Sequence, residues 1–216
     1  MLATLLAAIA GQAMAAGDSI DVKVTGQFVP PACVPTVAGG AVFDYGSIKA
    51  ATLAVDNYTV LSAKKLDFNI VCDSPMKVAF KAVDQRKSSV VKTVGVSVLG
   101  RTINNDSDIL FGLGVDGTRN VGAFAMNIVS MYTDEVRASP LVSQDSGNSW
   151  TTDDHMWLYS ADNKLSAPSV DNTTPVAFTT LKGQISLQAA LNKGSELDLT
   201  KITNLDGLTS IQMVYL

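Results

Sequence analysis

The sequence predicts an all-β protein, an antiparallel sandwich or barrel, on three observations. Apolar and polar residues alternate at period two along several stretches, and clusters of Gly, Asn, Asp and Pro separate those stretches. Beyond residue 16, no window of about twelve residues carries a clean helical stripe. With 216 residues, 47% of them hydrophobic, the chain has material for a sizeable core and is expected to form one domain over 16–216, with no linker and no internal repeat.

The elements follow in order. Residues 20–28 place Ile20, Val22, Val24 and Phe28 on one face and Asp21, Lys23, Thr25 and Gln27 on the other, with Gly26 interrupting the apolar side. Leu66, Phe68, Ile70 and Cys72 alternate with Lys65, Asp67, Asn69 and Val71. Val78, Phe80 and Ala82 resume that rhythm after Asp73-Ser74-Pro75, so the expectation is a strand, a tight turn and a second strand. Further strands are expected over 91–99, 109–115, 121–131, 155–160, 184–191 and 209–216, although 189–191 could also belong to a short helix. The polar, turn-rich stretch 133–175, which holds Trp150 and Trp157, is expected to be a long excursion from the sandwich.

The first sixteen residues are apolar except for Thr4, Gly11 and Gln12, and no charge precedes Asp18. An apolar core followed by Ala13 and Ala15 at the −3 and −1 positions of a cut reads as a secretory signal peptide over 1–15. The run is shorter than the roughly 20 residues that span a bilayer. The basic front of such peptides is missing, so the true start is expected upstream of Met1 or is trimmed. The mature chain then begins near Ala16 or Gly17, outside the cytoplasm. Its 16 Lys and Arg against 20 Asp and Glu give a net charge of −4, which argues against nucleic acid as a partner.

Cys33 and Cys72 are the two cysteines, and export with an even count favours a disulfide. Such a bridge would close a loop of about 39 residues, worth roughly 4 kcal/mol in the chain-entropy picture. Two buried free thiols are the alternative, and a metal site would need carboxylates to complete it, since the chain has a single His.

Three motifs could carry chemistry. Gly112-Leu113-Gly114-Val115-Asp116-Gly117 fits the glycine string of dinucleotide sites, but Thr118-Arg119-Asn120-Val121-Gly122 opens no helix to hold a pyrophosphate, and a Gly-rich hairpin is expected. Asp153-Asp154-His155 sets carboxylates beside the only imidazole, yet adjacent residues of an extended chain face opposite ways and no nucleophile elbow accompanies them. A solvated loop is expected there. Asp106-Ser107-Asp108 lacks the Gly and the closing Glu of a calcium loop and reads as a turn. No catalytic residue, metal or cofactor is expected, and the protein is not expected to be an enzyme.

The two ends carry the unusual features: an alternating apolar strand before the first cysteine, and a chain that finishes Ile211-Gln212-Met213-Val214-Tyr215-Leu216. Together with Cys33, Tyr45-Gly46, Cys72-Asp73-Ser74-Pro75, Phe111-Gly112-Leu113-Gly114 and the penultimate Tyr215, these make the chain resemble the pilus (fimbrial) subunits of the bacterial chaperone-usher pathway, in a branch of fimbrial-associated proteins. The resemblance is densest at 18–84 and 183–216.

It implies an incomplete immunoglobulin-like sandwich that lacks its last strand and is completed by donor-strand exchange. Ile20, Val22, Val24, Gly26 and Phe28, within 17–30, would be the donor strand, with Gly26 passing a crowded point. Ile211, Met213 and Tyr215 would border the groove and meet the chaperone, and Cys33 and Cys72 would form the family's disulfide. The implied partners are a periplasmic chaperone, an outer-membrane usher, neighbouring subunits and a host or surface receptor. The implied route runs through the periplasm to the bacterial cell surface, in a structural role supporting adhesion. Gly207 lies closer to the C-terminus than the family's glycine, and 85–175 makes the chain longer than a typical pilin. The alternatives are a minor adhesive subunit, a secreted β-sandwich that binds carbohydrate through exposed Trp150 and Trp157, and an exported hydrolase using His155.

Overall fold

Fifteen β-strands, joined by turns and single-turn 3-10 segments with no α-helix, make up the described residues (22–27, 32–104 and 107–216) of this computed structural model. The chain divides into two units, Met1–Pro30 and Pro31–Leu216. In the first, residues 22–27 belong to no strand and Val22 and Val24 are 85% and 93% exposed, which departs from the strand expected over 20–28. Ile20 and Phe28 lie outside the described residues.

In the second unit the strands are β1 (Cys33–Val37), β2 (Thr59–Val60), β3 (Lys64–Asp84), β4 (Ser97–Val98) and β5 (Arg101–Thr102). There follow β6 (Phe111–Gly112), β7 (Val115–Asp116), β8 (Arg119–Asn120), β9 (Gly122–Thr133) and β10 (Val136–Arg137). The last five are β11 (Ser139–Ser143), β12 (Thr151–Thr152), β13 (Leu165–Ser169), β14 (Ala177–Leu191) and β15 (Thr209–Tyr215). Eleven of them form one antiparallel sheet in the order β10-β9-β14-β3-β13-β11-β12, with β1 and β15 also on β3, β2 on β14 and β6 on β9.

β3 is the hinge of this sheet. Its first half pairs with β1 and β14 and its second half with β15 and β13. The turn expected at Asp73-Ser74-Pro75 is therefore not a turn, because the strand continues through it for 21 residues. Asp73 N–H donates to Ala32 O, and the register with β14 slips between Phe178 and Thr180, so Pro75 falls where no ladder donor is required. Even-numbered positions keep one phase throughout, and Phe68, Ile70, Val78 and Phe80 join Phe124, Ile128, Leu181 and Ile185 in a single core. The strand thus changes layers without changing faces, and the sheet curls over its own core.

β9 is buried on both faces along 122–128. Phe124 and Met126 enter the main core, while Ala123 and Ala125, with Ala190, meet Trp157, Val98, Ile103, Ile109 and Leu110 on the reverse side. Val98, Ile103, Ile109, Leu110 and Trp157, with Val90 packed against them, therefore cover that side of β9. The strand expected over 91–99 is reduced to Ser97–Val98, turned back by Leu99 (φ 49) and Gly100 (φ 81). The one expected over 155–160 is reduced to a single bridge between Asn127 and Trp157. Residues 133–175 are no excursion either, since they supply β11, β12 and β13 of the curled sheet. The segment 189–191 is strand, the end of β14.

Candidate functional site

β15 pairs with β3 along one edge, and among the described residues no strand pairs with the other. Opposed residues of antiparallel strands share a face. Tyr215, Met213 and Ile211 stand opposite Val78, Phe80 and Ala82, so they face the core as those three do. Yet Val78, Phe80 and Ala82 are at most 4% exposed, whereas Ile211 is 38% and Tyr215 47% exposed and Met213 is half-buried. A strand whose core-facing side chains meet solvent marks a core left open at that edge.

The same holds on β1, which pairs only with β3. Pro35 is exposed and Val37 half-buried although they oppose the buried Ile70 and Phe68. Two contacts fix the strands that border the opening. The Cys33–Cys72 disulfide ties β1 to β3 across the directly opposed pair. The Tyr215 hydroxyl accepts a hydrogen bond from Cys33 N–H at 3.1 Å, joining the end of β15 to the start of β1.

The approach to β15 is equally constrained. A Cβ on Gly207 would lie 2.8 Å from the Phe124 ring and 3.2 Å from Leu113, so only glycine fits between them. Asp206 N–H donates to Leu113 O, and the Asp206 carboxylate receives Arg86 Nε and Nη2 at 2.9 and 3.1 Å. That hydrogen-bonded ion pair holds the Arg86 guanidinium above its ordinary pKa. Next to the core, Tyr45 donates to Leu187 O and accepts from Ala189 N–H, and burial pushes its phenol up. Gly46 closes that turn at φ +61, its N–H on Asp44 Oδ1.

Of the expected donor residues, Val22 and Val24 are exposed, and nothing crowds the position of a Cβ on Gly26. The other candidate motifs take structural roles. Gly112 to Gly117 lead into a hairpin, Val115 opposite Asn120 and Asp116 opposite Arg119, with Gly114 and Gly117 at φ +86 and +63. Asp153 accepts the N–H groups of His155 and Trp157 and the Tyr159 hydroxyl, each at 3.1 Å, so its carboxylate holds a turn together. Asp106 lies outside the described residues, and Asp108 pairs with Lys164 at 3.1 Å. Trp157 is fully buried and Trp150 half-buried, which removes the exposed tryptophan pair on which the carbohydrate reading rested.

Comparison with known proteins finds similarity along most of the chain. A family model described as "Protein of unknown function (DUF1120)" matches residues 22–125. The protein is similar to Protein GltF of Escherichia coli (strain K12), 25% identical over 235 residues that cover 93% of this chain and 91% of that one. It is also similar to Uncharacterized protein YhcF of the same organism, 28% identical over 224 residues that cover 92% and 90%.

Proposed function

We propose that this protein is a structural subunit of a bacterial surface pilus, assembled by strand donation through the chaperone-usher route. The observation that carries the reading is the open edge: Ile211, Met213 and Tyr215 face the core and remain accessible while their partners on β3 are buried. A donated strand supplies the hydrogen bonds that the outer edge of β15 lacks and the apolar side chains that close the core. The segment within 17–30 has the matching pattern, and its described valines are turned to solvent. Burying three or four side chains of this size is worth roughly 1.5–3 kcal/mol each, comparable to the stability of a whole domain. A periplasmic chaperone would occupy the opening first, and the N-terminal strand of the next subunit would replace it at the usher.

The test is thermal unfolding of the oxidised protein lacking residues 17–30, with and without a synthetic peptide of that sequence. At a peptide concentration about 1,000-fold above Kd, linkage gives about 4 kcal/mol, a rise of about 10 °C for a chain of this length. A truncated protein whose midpoint ignores the peptide has a closed core, and the proposal fails.

A further inference from the structure

The geometry points to a binding site for a small organic anion just past the end of β14, where Lys193 lines a hollow of about 430 Å³, and this assignment is independent of the pilus reading. Asn57 and Tyr58 line the hollow with Lys193, together with the turn from Val94 to Ser97. The pairing of β2 with β14 sets Thr59 opposite Leu191, which carries Tyr58 alongside the residues that follow the strand. Asn192 fixes the chain there, its Oδ1 accepting Lys193 N–H at 2.9 Å and its Nδ2 donating to Asn120 O at 3.0 Å. The other segment turns at Gly95 (φ +83), whose N–H donates to Ile103 O at 2.7 Å. The Tyr58 hydroxyl donates to Lys92 O at 3.2 Å, so the tyrosine joins the two segments. Hydrogen bonds thus hold the lining on both sides.

Three features select the ligand class. First, Lys193 is half-buried and pairs with no carboxylate among the described residues, and Asp56 and Glu196, the acids closest to the lining along the chain, are exposed. Its ammonium lies 5.6 Å from the centre of the Tyr58 ring instead. A ring face steadies a cation without accepting from it as an oxygen would, so the three N–H donors stay available to a ligand. Second, no acidic residue lines the hollow, so a guest carboxylate or phosphate meets the lysine with no like charge beside it. Third, the volume is that of a small-molecule site and is far larger than a bare inorganic ion needs. Val94 and Val96 offer apolar surface, and the Asn57 amide and Ser97 hydroxyl offer polar contacts, to the body that carries the charge. A carboxylate or phosphate ester of about monosaccharide size fits all three.

The experiment titrates the intact protein with glucuronate, N-acetylneuraminate and glucose 6-phosphate, following backbone amide resonances, with glucose and inorganic phosphate as comparisons. At least one of the three organic anions should shift the amides of Tyr58, Gly95, Ser97 and Lys193 to saturation, and the preference between glucuronate and glucose 6-phosphate tells a carboxylate from a phosphate ester. Lys193→Gln should weaken that binding by about tenfold, whereas Lys193→Arg, which keeps the charge, should hold it within about threefold. Unfolding midpoints close to the parent's, checked for both variants, separate a lost contact from a lost fold. The inference is overturned if none of the three moves those amides, if glucose binds as tightly as glucuronate, or if Lys193→Gln binds like the parent. It is also overturned if inorganic phosphate binds as tightly as the best organic anion, which would mean an adventitious ion only. None of these outcomes touches the peptide test of the open edge.

Discussion

Gly207 is required by packing rather than by backbone conformation. A methyl group there would press on the Phe124 ring at 2.8 Å, and Phe124 is fixed between the buried strands β6 and β14. Gly207→Ala is therefore expected to destabilise the protein by about 1–3 kcal/mol, read from urea unfolding. A smaller loss would mean that the ring moves aside. Asp145 shows the opposite economy, an exposed turn held by charge. Hydrogen bonds from the Ser149 hydroxyl, the Ser143 hydroxyl and Ser149 N–H hold its carboxyl down at about 2. A carboxyl depressed in the folded state contributes stability that is complete above its unfolded pKa, about 3.9, and is lost as pH falls through the folded value. The melting midpoint should fall between about pH 4 and pH 2, and Asp145→Asn should flatten that slope. An unchanged slope would assign the acid limb to other carboxylates, of which Asp171 is the next candidate, since the N–H groups of Thr174 and Thr173 and the Ser169 hydroxyl hold its pKa low.

Among the strands, β3 and β15 carry the same apolar alternation with different consequences. Phe80 and Met213 are direct partners, yet the first is buried and the second only half so. In the isolated chain, Phe80→Ala should cost about 3–5 kcal/mol. Ile211→Ser, on the accessible strand, should cost less than about 1 kcal/mol while abolishing the response to the 17–30 peptide. Equal costs at the two positions would show that the edge is covered in solution. This pairing also marks what sequence can reveal. Alternation announces which face of β15 is apolar, but not whether anything lies over that face, so the opening became visible only from the burial of the partners. β9 was legible because its apolar run is long, and β14 only over 184–191, since Thr179-Thr180 and Lys182-Gly183 hide its first half. β11 and β13 were not, because SPLVS and LSAPS fill inward positions with serine. Ser166 is buried by donating to Trp157 O at 2.7 Å, and Ser143 and Ser169 by bonding Asp145 and Asp171. Asp73-Ser74-Pro75 misled for a related reason: turn-forming residues also suit the point where a strand leaves one partner for the next.

For the whole molecule, the proposed donor segment and the edge of β15 would make a heterologous pair of surfaces, and such surfaces build open chains rather than closed dimers. On that proposal each contact would use the donor of one copy and the edge of the next, so the two surfaces could be inactivated separately. A copy lacking residues 17–30 can accept but not donate, whereas a copy with Ile211→Asp and Met213→Asp can donate but not accept. Either alone should remain monomeric, and a mixture of the two should stop at a one-to-one dimer. Added to the intact protein, each should shorten the polymers in proportion to its mole fraction, as measured by light scattering and negative-stain length distributions, with the two kinds of cap at opposite ends. Capping by only one variant would mean that the donor or the acceptor lies elsewhere in the chain. Polymers that grow unchanged in the presence of both would rule out association through these surfaces, because a chain that extends by strand donation cannot pass a subunit that lacks either half of the contact.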